Sequence, residues 1–260
     1  MGNGTPAVQS VFSPSSLRCY ETCPKQYHFR YVEKRRVDVE SIEAFLGKRV
    51  HEILERLYQF VADGRVPSLE RVLFRYHTNW DERFDAERIR IVRSGIPPEQ
   101  YRRQGARCIE NHYRRHYPFD AETTLEVEKR IQFPLDAAGD YRLRGVIDRL
   151  ARARDGVLEI QDYKTGQRVP RQDALDRDPQ LALYELGIRE MLGETGEIRL
   201  VWFYLLSNQV RVSQRKPDEL EELRESTKAT IDRIRCETGW ETRTGPLCDW
   251  CEFREVCPAF

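Results

Sequence analysis

"YRLRGVIDRLARARDGVLEIQDYKTG", residues 141–166, alternates polar and apolar residues, breaks at "ARDG", and then runs apolar into a charged end. That pattern belongs to two β-strands joined by a turn. Upstream, "TLEVEKRIQFPL" (124–135) alternates in the same way, and the turn signal "DAAGD" (136–140) separates the two stretches. Together they read as a three-strand antiparallel meander. Outside the meander the apolar period changes from 2 to 3.6. "SIEAFLGKRVHEILERLYQFVADG" (41–64) is an amphipathic helix with Val50, Ile53, Leu54, Leu57 and Tyr58 on one face, stopped near Gly64. "SLERVLFRYHTNWDERF" (68–84) and "EQYRRQGARCIENHYRRHY" (99–117) continue the helical pattern, broken by "SGIPP". Downstream come a helix over "DPQLALYELGIREMLG" (178–193), strands over "EIRLVWFYLL" (197–206) and "QVRVSQ" (209–214), and a last helix from Pro217 to Cys236. A short helix broken at Pro24 opens the chain. The expected class is α/β (α+β), a central mixed sheet flanked by helices.

The chain has 260 residues, 43 Lys+Arg against 43 Asp+Glu, and 33% charged residues. One elaborated domain is expected at this length. With charge balanced, a nucleic-acid site must be a local basic groove rather than a basic whole. Arginine supplies 36 of the basic residues and lysine only 7, so Lys164 is one of few. No stretch approaches the roughly 18 apolar residues of a membrane span, and "MGNGTPAVQS" lacks the charged and apolar regions of a signal peptide. A cytosolic protein is expected, in which the Asn3-Gly4-Thr5 sequon is idle and Pro6 spoils a myristoylation motif.

In a strand, side chains alternate faces, so Leu158, Ile160, Asp162 and Lys164 share one face, and Arg144, Val146, Asp148 and Leu150 share one on the preceding strand. A short meander would bring Asp148 beside Asp162 at the rim of the core. Two converging carboxylates repel unless a cation sits between them, and Mg²⁺ or Mn²⁺ suits such a site together with substrate phosphate. Lys164 would then orient water or stabilise developing charge.

Seven cysteines is an odd count, and cytosolic thiols stay reduced, so their grouping points to metal or cluster ligation. "CDWCEFREVCP" is C-x2-C-x5-C, offering Cys248, Cys251 and Cys257. The head of the chain offers Cys23, followed by proline as Cys257 is. Four thiolates suit zinc and an iron-sulfur cluster alike. Cys19 lies one helical turn before Cys23 without the following proline, and Cys108 and Cys236 read as small core residues.

"GVIDRLARARDGVLEIQDYKTG" closely resembles the G-x-(I/V)-D-R and (V/I)-x-D-Y-K-T-G core of the RecB-like nucleases, a branch of the PD-(D/E)xK superfamily. The resemblance implies that Asp148 and Asp162 bind catalytic metal and that Lys164 is the catalytic lysine. "GKRVHEILERL" is similar to the family's G-x-x-x-H helix, which gives His51 a place at the same metal. "DPQLALYELGI" resembles the Q-x-x-x-Y motif, in which Gln180 and Tyr184 flank the site and contact the DNA strand. Glu128 resembles a frequent family glutamate, although a solvated strand face explains it as well. One early cysteine followed much later by C-x2-C-x5-C is similar to the iron-sulfur members, AddB-type recombination subunits and the CRISPR-adaptation nuclease. The implied cofactor is a [4Fe-4S] cluster on Cys23, Cys248, Cys251 and Cys257.

On that resemblance, residues 1–260 form a single nuclease domain. Segments 12–40 and 240–260 bind the cluster, 41–117 is a helical block, 118–215 is the nuclease core and 216–239 is a C-terminal helix. The implied activity is an Mg²⁺- or Mn²⁺-dependent deoxyribonuclease, an exonuclease on single-stranded DNA or DNA ends in repair, recombination or CRISPR adaptation. No helicase motif occurs, so a helicase or CRISPR-adaptation proteins are the expected partners, and no membrane is. The helical block would roof the site, with Arg102, Arg103, Arg107, Arg114 and Arg115 as channel walls for a threaded single strand. The alternatives are a catalytically silent DNA-end-binding scaffold with a structural cluster, and a zinc-stabilised adaptor.

Overall fold

Capping side chains fix where the helices begin. In the computed structural model, which describes residues 10–260, Ser13 and Ser16 form a reciprocal capping box, and Ser41, Ser68 and Asp178 accept backbone N–H groups at three further helix starts. Pro6 and the sequon at Asn3 lie outside the described residues. In chain order, strand β1 (Val11–Phe12) leads to helices α1 (Pro14–Thr22) and α2 (Pro24–Tyr27), with a π-helical turn at His28–Val32. Strand β2 (Glu40–Ser41) precedes helices α3 (Ile42–Ala62) and α4 (Leu69–Arg83), and strand β3 (Ile89–Arg90) precedes α5 (Pro98–His116). The meander is β4 (Glu122–Pro134), β5 (Arg142–Ala153) and β6 (Leu158–Lys164). Helices α6 (Gln172–Leu175) and α7 (Pro179–Leu192), strands β7 (Ile198–Tyr204) and β8 (Gln209–Ser213), and helix α8 (Pro217–Cys236) follow. Gly193, at φ 64°, ends α7 in the left-handed conformation that glycine adopts without strain. Among the described residues no helix is long and apolar enough to cross a membrane.

The sheet is mixed. β4, β5 and β6 run antiparallel as the meander requires, β6 and β7 are parallel, and β8 returns antiparallel. Helices α1, α7 and α8 cover one face around Leu158, Ile160, Leu200 and Trp202. Helices α3, α4 and α5 cover the other around Tyr163, Val201 and Phe203. Each fully buried Leu or Phe in these layers contributes roughly 1.5–3 kcal/mol. Two pairings were not expected. β1 joins β5 in parallel at Arg142 and Leu143, and β2 pairs with β3 inside the helical block.

One expectation is corrected. Arg144, Val146, Asp148 and Leu150 do not share a face, for Val146 is 40% exposed and Leu150 only 1%. Leu143 and Ile147 lie in the α7-side core with Leu150, whereas Arg149 stacks over Tyr58 of α3 on the opposite side. The stripe therefore changes faces at Asp148. On β4 the same reversal separates Val127, on the α3 side, from Ile131 and Phe133, on the α7 side. Glu128 stands at that reversal with φ 47°, a left-handed conformation that a non-glycine residue adopts only under local strain.

This reversal positions the site. β1 and β6 both pair with the edge of β5 opposite β4, at residues 142–143 and 149–152 respectively. Between them, residues 144–148 of β5 leave that edge free among the described residues, and β6 splays away after Gln161 to follow β7 alone. Asp148 and Asp162 flank the mouth of the fork. A buried cluster on the α3 side holds its root, where Arg149 bonds Glu122, Thr124 and Gln161 at 2.6–2.9 Å.

Candidate functional site

Three ligand-bearing side chains from three elements meet in the fork. One ligand atom each from His51 (α3), Glu128 (β4) and Asp148 (β5) lies within 4.8 Å of the others, all half-buried. The backbone of Tyr163 sets two of them. Its N–H donates to Asp148 Oδ2 at 2.7 Å, and its carbonyl lies 2.9 Å from His51 Nε2. A carbonyl only accepts, so Nε2 carries a proton and Nδ1 is the ring atom turned to Asp148 Oδ1, at 3.3 Å. Burial disfavours the imidazolium, but the Asp148 carboxylate, with Asp162 behind it, more than offsets this and leaves His51 more basic than usual. Burial and the Asp148 charge both push the Glu128 carboxyl upward. Two carboxylates and an imidazole so close suit a divalent cation, which removes the repulsion that raises Glu128.

Asp162 stands beside this cluster rather than in it. It is 5% exposed, and Lys164 Nζ lies 2.6 Å from its Oδ2. Gln180, in the first turn of α7, donates from Nε2 to Asp162 Oδ1 at 2.9 Å and accepts from Lys164 Nζ at 3.2 Å. Burial raises the Asp162 carboxyl to about 6, against the pull of Lys164 and with the help of Asp148. The Lys164 side chain is 34% exposed, so its ammonium remains open to a substrate. Tyr184, one turn beyond Gln180, packs on the sheet at Gly145, where a Cβ would fall 2.3 Å from its Cε1. The glycine of the G-V-I-D-R stretch is thus required by the close approach of α7.

The four cysteines singled out by sequence line one cavity of about 490 Å³, with Cys19. Chain head and tail meet around it. Arg30 pairs with Glu252, Phe29 packs on Phe253 at 5.4 Å between ring centres, and Trp240 stacks on Tyr27 at 5.9 Å. Backbone N–H groups of Arg243 and Gly245 point at Cys23 Sγ and Cys248 Sγ at 3.5 and 3.4 Å. Burial pushes Cys19 up to about 12 and raises Cys251 as well. The donor set and room fit a thiolate-bound metal group.

Three of the five α5 arginines expected as channel walls have side-chain partners of their own. Arg102 is engaged by Asp81 at 2.8 Å and Glu99 at 3.4 Å, Arg114 by Glu110 at 2.8 Å, and Arg115 by Asn208 at 2.9 Å. Arg130 of β4 and Arg144 of β5 line a cavity together with Gly145 and Val146 of the free edge.

Comparison with known proteins bears on the fold and on this fork. The fold is similar to the crystal structure of a candidate exonuclease from Eubacterium rectale, 13% identical, over 87% of this chain and 80% of that one, at a TM-score of 0.50. The crystal structure of SSO0001, also 13% identical, aligns over 94% and 95% of the two chains, at a TM-score of 0.36 that carries no argument. No curated protein matches the chain. A family model described as the PD-(D/E)XK nuclease superfamily matches residues 11–258, from the first strand of the sheet through the last cysteine of the tail. A match over that span takes in the forked meander and every acidic, basic and thiol group described above, and the chain belongs to the PD-(D/E)XK nuclease superfamily.

Proposed function

We propose that the chain is a divalent-cation-dependent deoxyribonuclease of the RecB-like, iron-sulfur branch, acting on single-stranded DNA at its ends. The observation that carries this reading is the meeting of His51, Glu128 and Asp148 beside the Asp162–Lys164 pair. His51 through Nδ1, Asp148 and Glu128 would hold Mg²⁺ or Mn²⁺, with Asp162 completing the acidic rim. When bound, the cation supplies charge neutralisation at the scissile phosphate and makes water more acidic. The chain's own groups do the rest. Lys164 Nζ, steered by Asp162 and Gln180, faces the charge that develops on phosphate. The Tyr163 backbone fixes both Asp148 and the His51 tautomer, so the ligand atoms are set before substrate arrives.

Four thiols around a cavity of about 490 Å³ support a [4Fe-4S] cluster on Cys23, Cys248, Cys251 and Cys257. Four thiolates serve zinc as well as a cubane, and metal analysis of the purified chain separates the two. In this reading residues 1–260 act as one cytoplasmic nuclease domain, its ends stapled by the cluster. Single-stranded ends would come from a helicase or from CRISPR-adaptation proteins.

Two measurements test the site and the end requirement. Glu128→Gln and His51→Ala should each weaken Mn²⁺ binding, read by calorimetry, by at least about tenfold. Unchanged affinity in Glu128→Gln would remove that residue from the site. For the end requirement, linear single strands should be degraded and covalently closed single-stranded circles spared. Equal cutting of circles would show an open site with no need for an end.

A further inference from the structure

The free edge of β5 opens beside the carboxylates into a cavity of about 700 Å³. Arg130 from β4, Arg144 from β5, and the rings of Tyr31 and Tyr184 contribute to its walls, and no Asp or Glu does. Both arginines are exposed, and among the described residues neither has a carboxylate within 4.0 Å. The nine residues before these contain no Asp or Glu either. On α5, by contrast, Arg102 and Arg114 are paired with carboxylates of α4 or of their own helix. Arg144 lies four residues from Asp148 along one strand, roughly 13 Å at the usual rise. On the far side of Tyr184 a second cavity, of about 600 Å³, shares Tyr184 and Ser15 with the first and carries Arg18, Arg177 and Arg233. Arg18 and Arg177 are already paired, with Asp178 at 3.0 Å and Asp173 at 3.2 Å. Of these three only Arg233 lacks a carboxylate within 4.0 Å among the described residues, against both arginines of the first cavity.

We propose that the cavity at the free edge of β5 binds the single DNA strand next to the scissile phosphate, with Arg130 and Arg144 on phosphates and Tyr31 against an unpaired base. The proposal rests on the nuclease reading and names its substrate path. Unpartnered arginines beside an aromatic ring are what a single strand needs, since its phosphates and the faces of its bases are both exposed. A duplex offers the phosphates but keeps its base faces stacked, so Tyr31 would contribute to single strands alone.

The test is binding of dye-labelled oligothymidine to the full chain in EDTA, followed by fluorescence anisotropy over a range of salt. Arg130→Glu/Arg144→Glu should weaken binding by about tenfold or more and lower the salt slope by about 1.4, from two lost phosphate contacts. Arg103→Glu/Arg107→Glu on α5, with the same change in charge, should stay within about twofold. Tyr31→Ala should weaken binding of the oligonucleotide and leave that of blunt duplex unchanged. If the first pair melts early, Arg130→Gln/Arg144→Gln keeps the chain near neutral and should still show the reduced slope. Equal or greater loss from the α5 pair, or an unchanged slope in both Arg130/Arg144 variants, would overturn the proposal. The nuclease reading fails separately, if the wild-type chain binds the strand through these arginines and never cuts it with Mg²⁺ or Mn²⁺.

Discussion

Asp162→Asn and Lys164→Ala are each expected to lower cleavage of single-stranded DNA by about 10³-fold or more, while binding of the strand in EDTA stays within a few-fold of wild type. Asparagine keeps the shape of Asp162 and can still accept from Gln180 Nε2, so the loss reports charge rather than collapse. Lys164→Ala removes the cation that faces the buried carboxylate, and here stability must be followed too. Burial raises the folded Asp162 carboxyl to about 6, against Lys164. A carboxyl raised above its unfolded value favours the fold while protonated, and that contribution is lost as pH rises through the folded value. Without Lys164 the folded value moves higher still, so the variant should lose more thermal stability at about pH 7.5 than at about pH 5.5. Full activity in either variant would refute the role given to this pair.

The second large effect concerns the cysteines. Anaerobically purified protein should be brown, with iron and sulfide near four each per chain. Cys251→Ala should lose the iron and, with it, soluble folded protein before it loses the chemistry of the fork. Joining Cys23 to Cys248 closes a loop of about 225 residues, for which the chain-entropy model of crosslinks gives roughly 5 kcal/mol, a large share of a typical domain's stability. Apart from the cluster, the tail is held by Phe253, buried against Phe29, and by the Arg30–Glu252 pair, while its two short 3₁₀ turns bury no residue. Stoichiometric zinc without iron in anaerobic preparations would contradict the cluster assignment.

The meander, the long helices and their ends were legible because their signals are local. Serine caps, the Gly193 stop and the switch of period sit within a few residues of the structure they specify. The parallel pairing of Val11–Phe12 with β5 was not legible, as two residues carry no periodicity and their partners lie about 130 positions away. Extending simple alternation through Asp148 missed the change of face, because a glutamate at positive φ leaves no mark in sequence. For the same reason Glu128 looked like a solvated strand residue, yet the reversal is what turns it toward His51 and Asp148. The Arg-rich α5 stands out by composition, although Asp81, across on α4, already engages Arg102 and Glu110 engages Arg114. Neither Arg130 nor Arg144 stands out in sequence, since only the free edge of β5 gives them a cavity.

The most direct measurement is cleavage of an end-labelled single-stranded oligonucleotide by the purified chain as Mn²⁺ or Mg²⁺ is titrated, with Asp148→Asn alongside. Shortened products should appear only with the cation, vanish with EDTA, and be absent for Asp148→Asn, whose side chain sits between the His51 imidazole and the Tyr163 backbone. A wild-type chain that binds the oligonucleotide but leaves it intact at every cation concentration would contradict the nuclease assignment and identify a silent DNA-end-binding scaffold instead.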